Sequence, residues 1–229
     1  MTEQNTSLSD HSELSRKLVR IIEQFIDEVG QRNCTSHLDA VLDDGHFFKG
    51  RNLGQKPERF TEDHLIFPVL QALGHQLRPR PVQYAPRWSH GRGIPDFALT
   101  YIPVSKAEQN DIRLFGEAKP PNKLNYARDD MEQYLKKDLD FHAIAILTDG
   151  VDWELWIRPR NEELSQKFTP YAVANIRDAL KTVERRNIEE EDYHKHHARN
   201  EINTNAFLDF TPDSLDGTIR DILEIDPIE

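Results

Sequence analysis

The sequence predicts an α/β protein in which helices flank a mixed central sheet, with additional helices at the N-terminal and C-terminal ends. Apolar residues recur at three- and four-residue spacing in several segments, which is typical of amphipathic helices. Between these segments lie short runs with the two-residue alternation of strands. One run, 141–147, is apolar at nearly every position, as expected of a parallel strand that is buried on both faces.

Composition narrows the class of protein. A chain of 229 residues can hold one sizeable domain, and its single cysteine, Cys34, excludes an internal disulfide. No run approaches the ~18 apolar residues of a membrane span, and residues 1–5 lack the basic start and apolar core of an export signal. We therefore expect a cytoplasmic protein that has no contact with membranes.

Two helices, separated by a segment with a short helical piece at 37–42, are expected before the first strand. Between residues 12 and 31 the apolar positions recur at helical spacing, and Gly30 lies near the end of the pattern. A second helix is expected to begin at Thr61, whose hydroxyl can cap it, and to run to Gly74. Glu62 then lies in the first turn, where a carboxylate complements the helix dipole.

Two strand-like runs, 93–101 and 112–119, are expected to pair as an antiparallel hairpin. With the tip in the middle of the polar loop between them, the register places Asp96 opposite Glu117. Because side chains alternate between faces along a strand, Glu117 and Lys119 point the same way. Two carboxylates and one ammonium group therefore converge on one patch of the sheet.

This arrangement is suited to phosphodiester hydrolysis. Adjacent carboxylates repel each other unless a cation lies between them, and oxygen atoms are the ligands that Mg²⁺ prefers. A bound Mg²⁺ or Mn²⁺ ion lowers the pKa of a coordinated water molecule, while the Lys119 ammonium group stabilises developing negative charge. Asp96 and Glu117 are the expected metal ligands. The alternative for the same three residues is a salt-bridge cluster at the edge of the sheet.

The remainder of the chain continues the α/β pattern. Pro120 and Pro121 end the second run of the hairpin, and a helix then leads to the buried strand, so these two strands are expected to be parallel. The elements expected after the hairpin are a helix at 126–139, the buried strand at 141–147, a turn at 148–150, an edge strand at 153–157, a short strand or loop at 169–173, and helices at 175–186 and 215–225.

The motifs, taken in this order, resemble a known nuclease superfamily. Pro95-Asp96 and Glu117-Ala118-Lys119 are similar to the signature of the PD-(D/E)xK nucleases. Leu147-Thr148-Asp149-Gly150, followed by Trp153-Glu154-Leu155-Trp156, is similar to the N-terminal nuclease domain of type I restriction enzyme restriction subunits. The resemblance implies a restriction-endonuclease-like fold. It divides the chain into an N-terminal helix and irregular segment packed on the core (1–57), a nuclease-like core (58–160) and a C-terminal helical extension (161–229).

The resemblance also implies an activity, that of a metal-dependent DNA endonuclease of the restriction type. By the resemblance, Asp96 and Glu117 hold Mg²⁺ or Mn²⁺, the carbonyl of Ala118 adds a ligand, and Lys119 assists the attacking water. Glu62 matches an acidic residue that, in many of these nucleases, reaches the metal from the helix before the catalytic sheet. Its alternative role is to complement the helix dipole alone.

Contacts with nucleic acid must come from local basic patches, because the net charge of -11 opposes phosphate binding by the chain as a whole. Arg87 and Arg92 lie in a basic stretch just before the hairpin, and Lys123 and Gln133 follow it. Related nucleases often carry Gln and Tyr four residues apart on this helix, whereas here Lys137 takes the fourth position after Gln133. An exposed glutamine and a solvated basic loop are the alternatives.

Partners are expected because the chain lacks other functions of a restriction system. No Gly-x-x-x-x-Gly-Lys-Ser/Thr motif occurs, so ATP-driven translocation is not expected from this chain. The resemblance implies separate recognition or motor subunits, and pairing of two copies to cut both DNA strands. The alternative function is a catalytically silent module that keeps the nuclease fold and binds nucleic acid or protein.

Overall fold

The computed structural model describes residues 3–81, 94–100, 102–137, 139–163, 169–184 and 197–223. In these residues six strands form one sheet, side by side in chain order, and helices cover both faces. The predicted α/β class and mixed sheet with flanking helices are confirmed. The strands are β1 (Leu77–Pro79), β2 (Phe97–Leu99), β3 (Ile112–Ala118), β4 (His142–Thr148), β5 (Asp152–Arg158) and β6 (Ala172–Asn175).

The described helices lie before, between and after the strands in the chain. They are α1 (Glu3–Gln31), α2 (Thr35–Asp43), α3 (Gly50–Leu53), α4 (Pro57–Thr61), α5 (Phe67–Ala72), α6 (Val104–Gln109), α7 (Leu124–Lys137), α8 (Arg177–Glu184), α9 (197–201), α10 (Thr204–Leu208) and α11 (Pro212–Leu223). A π-helical turn, Glu62–Ile66, joins α4 to α5. The helices expected near both chain ends are therefore present.

The sheet is mixed because one of its strand pairs is parallel. β3 and β4 run parallel, and α7 forms the crossover between them, as predicted. The other neighbouring pairs are antiparallel. In the β2–β3 pair Phe97 lies opposite Gly116, so the register continues to Asp96 opposite Glu117. The predicted hairpin register is thus correct.

The connection between β2 and β3 differs from the expected polar loop. It contains α6, and the amides of Lys106 and Ala107 both donate to the carbonyl of Pro103 at the start of this helix. Ala107 is fully buried, so its side chain docks this helix onto the core. β2 is correspondingly only three residues long.

Each face of the sheet has its own apolar core. On one face α1, α5, α8 and α10 pack against strand residues that include Ile146 and Trp153. On the other face α7 contributes Met131 and Leu135, which pack with Phe115. Although α1 has 29 residues, no described helix is apolar enough over sufficient length to cross a lipid bilayer.

The segment 161–229, expected to be helical, also contributes a strand. β6 pairs antiparallel with β5, so β5 is not the edge strand that the sequence predicted. The alternation along β6 explains the pairing: Ala172 and Ala174 are buried, whereas Val173 and Asn175 are exposed. Only four residues long, this pattern is too short to separate a strand from a loop by sequence.

The helix before the first strand begins earlier than predicted. α4 starts at Pro57, which suits a first helical turn because it has no N–H to donate. Thr61 does not cap the helix; its hydroxyl donates to the Pro57 carbonyl at 2.9 Å. The π-helical turn precedes Pro68, which lacks the N–H needed to continue the regular bonding pattern. The earlier start places Glu58 and Glu62 four residues apart on one side of the helix.

Candidate functional site

Asp96, Glu117 and Lys119 meet at the C-terminal end of β3, as the hairpin register predicts. The Lys119 Nζ atom lies 3.3 Å from Glu117 Oε2 and 3.7 Å from Asp96 Oδ2. The Ala118 amide donates to Asp96 Oδ2 at 3.0 Å, which holds that carboxylate beside β3. The three predicted side chains are therefore close enough to act on one ligand.

The helical side of the site is built from α4 and the π-helical turn. One carboxylate oxygen from each of Glu58, Glu62 and Asp96 lies within 4.8 Å of the other two. Opposite ligands of Mg²⁺ are ~4.2 Å apart when each bond is ~2.1 Å. The spacing of the three oxygens is therefore close to that which one ion requires. Glu62 lies where the sequence placed it, and Glu58 is a residue that sequence reasoning missed.

The cations around these carboxylates differ in their exposure to water. Arg59 lies 3.2 Å from Glu62, and Arg80 lies 3.6 Å from Asp96, but their side chains are 52% and 60% exposed. The Lys119 side chain is only 13% exposed. Water screens exposed ion pairs strongly, so Lys119 is the principal compensating charge among the described neighbours of the buried carboxylates.

The crossover helix α7 adds two residues that the sequence analysis did not assign to the site. Asp130 Oδ2 lies 2.9 Å from the Lys119 Nζ atom. The Tyr134 hydroxyl interacts with the Glu117 carboxyl group. Asp130 and Tyr134 are four residues apart and therefore share one side of α7. That spacing, directly after the strand that carries Glu117, is the signal by which sequence reasoning could have found them.

Burial changes the protonation of the carboxyl groups at the site. Burial, reinforced by Asp96 and Glu58, raises the pKa of Glu62 to about 7. Burial and the adjacent Asp96 carboxyl group raise the pKa of Glu117 well above its ordinary value. Burial alone would lower the pKa of Lys119, but Glu117 and Asp96 outweigh it and raise that pKa. The positive charge near these carboxyl groups is therefore not enough to stabilise their ionised forms.

The donor set fits a hard divalent cation. No described residue donates a hydrogen bond to Oε1 of Glu62 or to Oε1 of Glu117, although both atoms are buried. A buried carboxylate oxygen without a partner costs free energy that a coordinated cation can offset. The carboxylates close enough to share one Mg²⁺ or Mn²⁺ ion are those of Glu58, Glu62 and Asp96. Glu117, which was predicted as a ligand, lies beside Lys119 and is not one of these three, so its role as a ligand stays a prediction. The predicted role of the Ala118 carbonyl stays a prediction, since the contact found at Ala118 is that of its amide.

The predicted nucleic-acid contacts fall partly beside the site. Lys123 and Gln133 line a cleft of about 620 Å³ that also includes Lys119. Gln133 is exposed on α7. Arg87 and Arg92 lie outside the described residues. Comparison of the chain with protein-family models, curated proteins and solved structures found no match.

The raised pKa of Glu62 predicts a pH-dependent stability of the metal-free protein. The pKa of about 7 exceeds the ordinary 4.5, so the folded state holds this proton more tightly than the unfolded chain. The resulting stabilisation is complete below pH 4.5 and is lost as the pH rises through about 7. By this linkage, Glu62→Gln stabilises the protein at pH 8 by up to roughly 3 kcal/mol.

Urea unfolding of wild type and Glu62→Gln in EDTA, at pH 5 and pH 8, measures this effect. We expect the two proteins to differ little at pH 5, where Glu62 keeps its proton in the folded state. Titrating groups that do not interact with Glu62 are common to both proteins and cancel in the difference. An equal difference in unfolding free energy at the two pH values contradicts the prediction.

Proposed function

We propose that the protein is a metal-dependent DNA endonuclease of the restriction type, with a restriction-endonuclease-like fold. The observation that carries the proposal is that Asp96 belongs to two groups at the end of β3. It clusters with the carboxylates of Glu58 and Glu62, and it lies beside Lys119, which also contacts Glu117. The unpartnered buried oxygens of Glu62 and Glu117 support a cation as the missing partner. The predicted order of the motifs along the chain adds to this support.

Each residue has a distinct part in the proposed reaction. Asp96, Glu117 and Glu62 hold the divalent ion, with the Ala118 carbonyl as a further ligand. A bound ion of this kind polarises a phosphoryl oxygen and makes water a better nucleophile at neutral pH. The raised pKa of Lys119 keeps its ammonium group protonated, so it can orient water or stabilise negative charge on the phosphate.

Two residues of α7 act by positioning others in this proposal. Asp130 contacts the Lys119 ammonium group and restrains the side chain. The Tyr134 hydroxyl interacts with Glu117 and so fixes the orientation of that carboxyl group. Neither residue needs to touch DNA. We further propose that the enzyme is cytoplasmic and that it works with separate recognition or motor subunits and with a second copy of itself.

The second candidate is a catalytically silent module that keeps this fold and binds nucleic acid or protein. One contact favours it: Lys119 lies closer to Asp130, at 2.9 Å, than to Glu117, at 3.3 Å. A lysine engaged in this way can serve as the centre of an ion-pair cluster without taking part in catalysis. In this candidate function the cluster stabilises the structure, and neither metal nor cleavage depends on it.

Plasmid nicking distinguishes the two candidates. The endonuclease is expected to convert supercoiled plasmid to the nicked form in Mg²⁺ or Mn²⁺ and to do nothing in EDTA. Asp96→Asn keeps the size of the side chain and an oxygen for the Ala118 amide, yet it should lower nicking by at least roughly 100-fold. The matched control is Asp39→Asn, an exposed aspartate on α2. Equal nicking by both variants, or none by wild type, contradicts the endonuclease.

A further inference from the structure

Two exposed aromatic rings flank one lysine close to the site. Phe47 and Tyr126 are among the large apolar side chains that are exposed in the described part of the chain, at 48% and 52%. The Lys123 Nζ atom lies 4.7 Å from the centre of the Phe47 ring and 5.7 Å from the centre of the Tyr126 ring. Exposed rings grouped around a cation mark a binding surface more often than isolated apolar residues do.

This aromatic surface adjoins the proposed catalytic residues. Lys123 and Tyr126 line the cleft of about 620 Å³ that includes Lys119. Lys56, which is exposed, lines the same cleft and adds another ammonium group. A ligand that enters this cleft therefore meets Lys119, two further lysines and an exposed aromatic ring, together with three carboxylates, those of Glu58, Asp129 and Asp130.

A second cleft extends the surface away from the site. It has a volume of about 590 Å³ and includes Phe47 and Lys49. Phe48 lines both clefts, so the two adjoin at this residue. Aromatic rings and lysines thus occur together in both clefts, from Lys119 to Lys49.

Rings interleaved with lysines suit an unpaired nucleic-acid strand. A free base presents a flat face that stacks on an aromatic ring, while ammonium groups contact the phosphates on either side of it. In a duplex the bases already stack on one another, and only their edges and the phosphates are accessible. A surface for duplex DNA therefore gains little from exposed phenylalanine and tyrosine.

We propose that the two clefts bind an unpaired segment of DNA next to the phosphate that is cut. Bases stack on Tyr126 and Phe47, and Lys123 and Lys56 contact the phosphates. This inference rests on the proposed endonuclease function and specifies its substrate: single-stranded DNA, or a duplex opened at the cleavage point. It also explains why a chain with a net charge of -11 needs stacking in addition to charge.

Binding measured without metal tests the inference separately from cleavage. The probe is a fluorescein-labelled 12-nucleotide DNA strand, alone or annealed to its complement, titrated with the full chain in EDTA and followed by fluorescence anisotropy. Wild type is expected to bind the single strand at least about tenfold more tightly than the duplex. Tyr126→Ala and Phe47→Ala should each weaken single-strand binding by roughly 5- to 150-fold, the range of one base–aromatic stack.

Two variants control for indirect effects. Tyr171→Ala removes a tyrosine of equal exposure, 53%, just before β6, and should leave single-strand binding unchanged. Tyr126→Trp keeps an aromatic ring at the cleft and should retain tight binding. Equal affinity for duplex and single strand, or equal effects of Tyr126→Ala and Tyr171→Ala, overturns the inference. Plasmid nicking that persists alongside either result leaves the endonuclease proposal standing and rejects only its single-strand substrate.

Discussion

Replacing Lys119 by methionine is expected to lower Mg²⁺-dependent DNA cleavage by roughly 10²- to 10⁴-fold. The ammonium group contacts Asp96, Glu117 and Asp130, so its removal takes away the charge proposed to act on the phosphate. Single-turnover cleavage of labelled DNA measures the loss. The matched control is Lys136→Met, because Lys136 is also a lysine in an ion pair, with Glu132, but is 59% exposed on α7.

The same substitution also affects folding, and the two effects are separable. Without the ammonium group the buried carboxylates of Glu117 and Asp96 lose the cation that is itself largely buried beside them. The unfolding free energy of the metal-free protein should therefore fall by roughly 3 kcal/mol or more at pH 8. Lys119→Arg keeps the positive charge and much of the stability but changes the position and shape of the cation. It should therefore fold and still cleave poorly. Cleavage at the wild-type rate by folded Lys119→Met contradicts the proposed role.

Gly116→Ala is expected to be severely destabilising. A Cβ atom added at Gly116 would lie 2.0 Å from Cζ of Phe97 and 2.7 Å from the carbonyl oxygen of Ile146. The backbone oxygen belongs to the neighbouring strand and cannot move independently of it. We expect a loss of about 3 kcal/mol or more in unfolding free energy, which corresponds to a fall of roughly 6 °C or more in Tm.

The position of Gly116 also connects stability to the site. Gly116 precedes Glu117 on β3, and its cross-strand partner Phe97 follows Asp96, so displacement of the Phe97 ring shifts both carboxylates. The control is Gly217→Ala, where an added Cβ meets nothing within 4 Å on α11. That change should stabilise the protein by roughly 0.5–1 kcal/mol, the helix preference of alanine over glycine. Urea unfolding of both variants gives the comparison, and a Gly116→Ala protein as stable as wild type contradicts the packing described.

The hairpin register could be predicted from the sequence because few other registers agree with the alternation of side chains on both strands. Placing the tip in the middle of the segment between the two runs matches Asp96 with Glu117, and the structure has this register even though α6 occupies the connection. A shift of one residue would turn Phe97 and its neighbours to the wrong face. Alternation on both strands therefore constrains the pairing more than the form of the connection does.

The residues that sequence reasoning missed depend on how helices dock. Glu58 was missed because the helix was expected to begin at Thr61, whereas Pro57 begins it and brings Glu58 one turn before Glu62. Asp130 and Tyr134 reach Lys119 and Glu117 because Met131 and Leu135, the residues that follow each of them, pack α7 onto the sheet. Helical periodicity identifies the buried side of α7, but it does not say which strand residues the helix will cover.

The measurement that tests the central claim most directly is calorimetric titration of the protein with Mn²⁺. Wild type is expected to give a saturable heat with about one ion per chain, in keeping with three carboxylates at one centre. Glu117→Gln should lose at least about tenfold in affinity, and Asp39→Asn should bind as wild type does. No saturable heat from wild type, or equal affinity in Glu117→Gln, would contradict a metal centre at the end of β3.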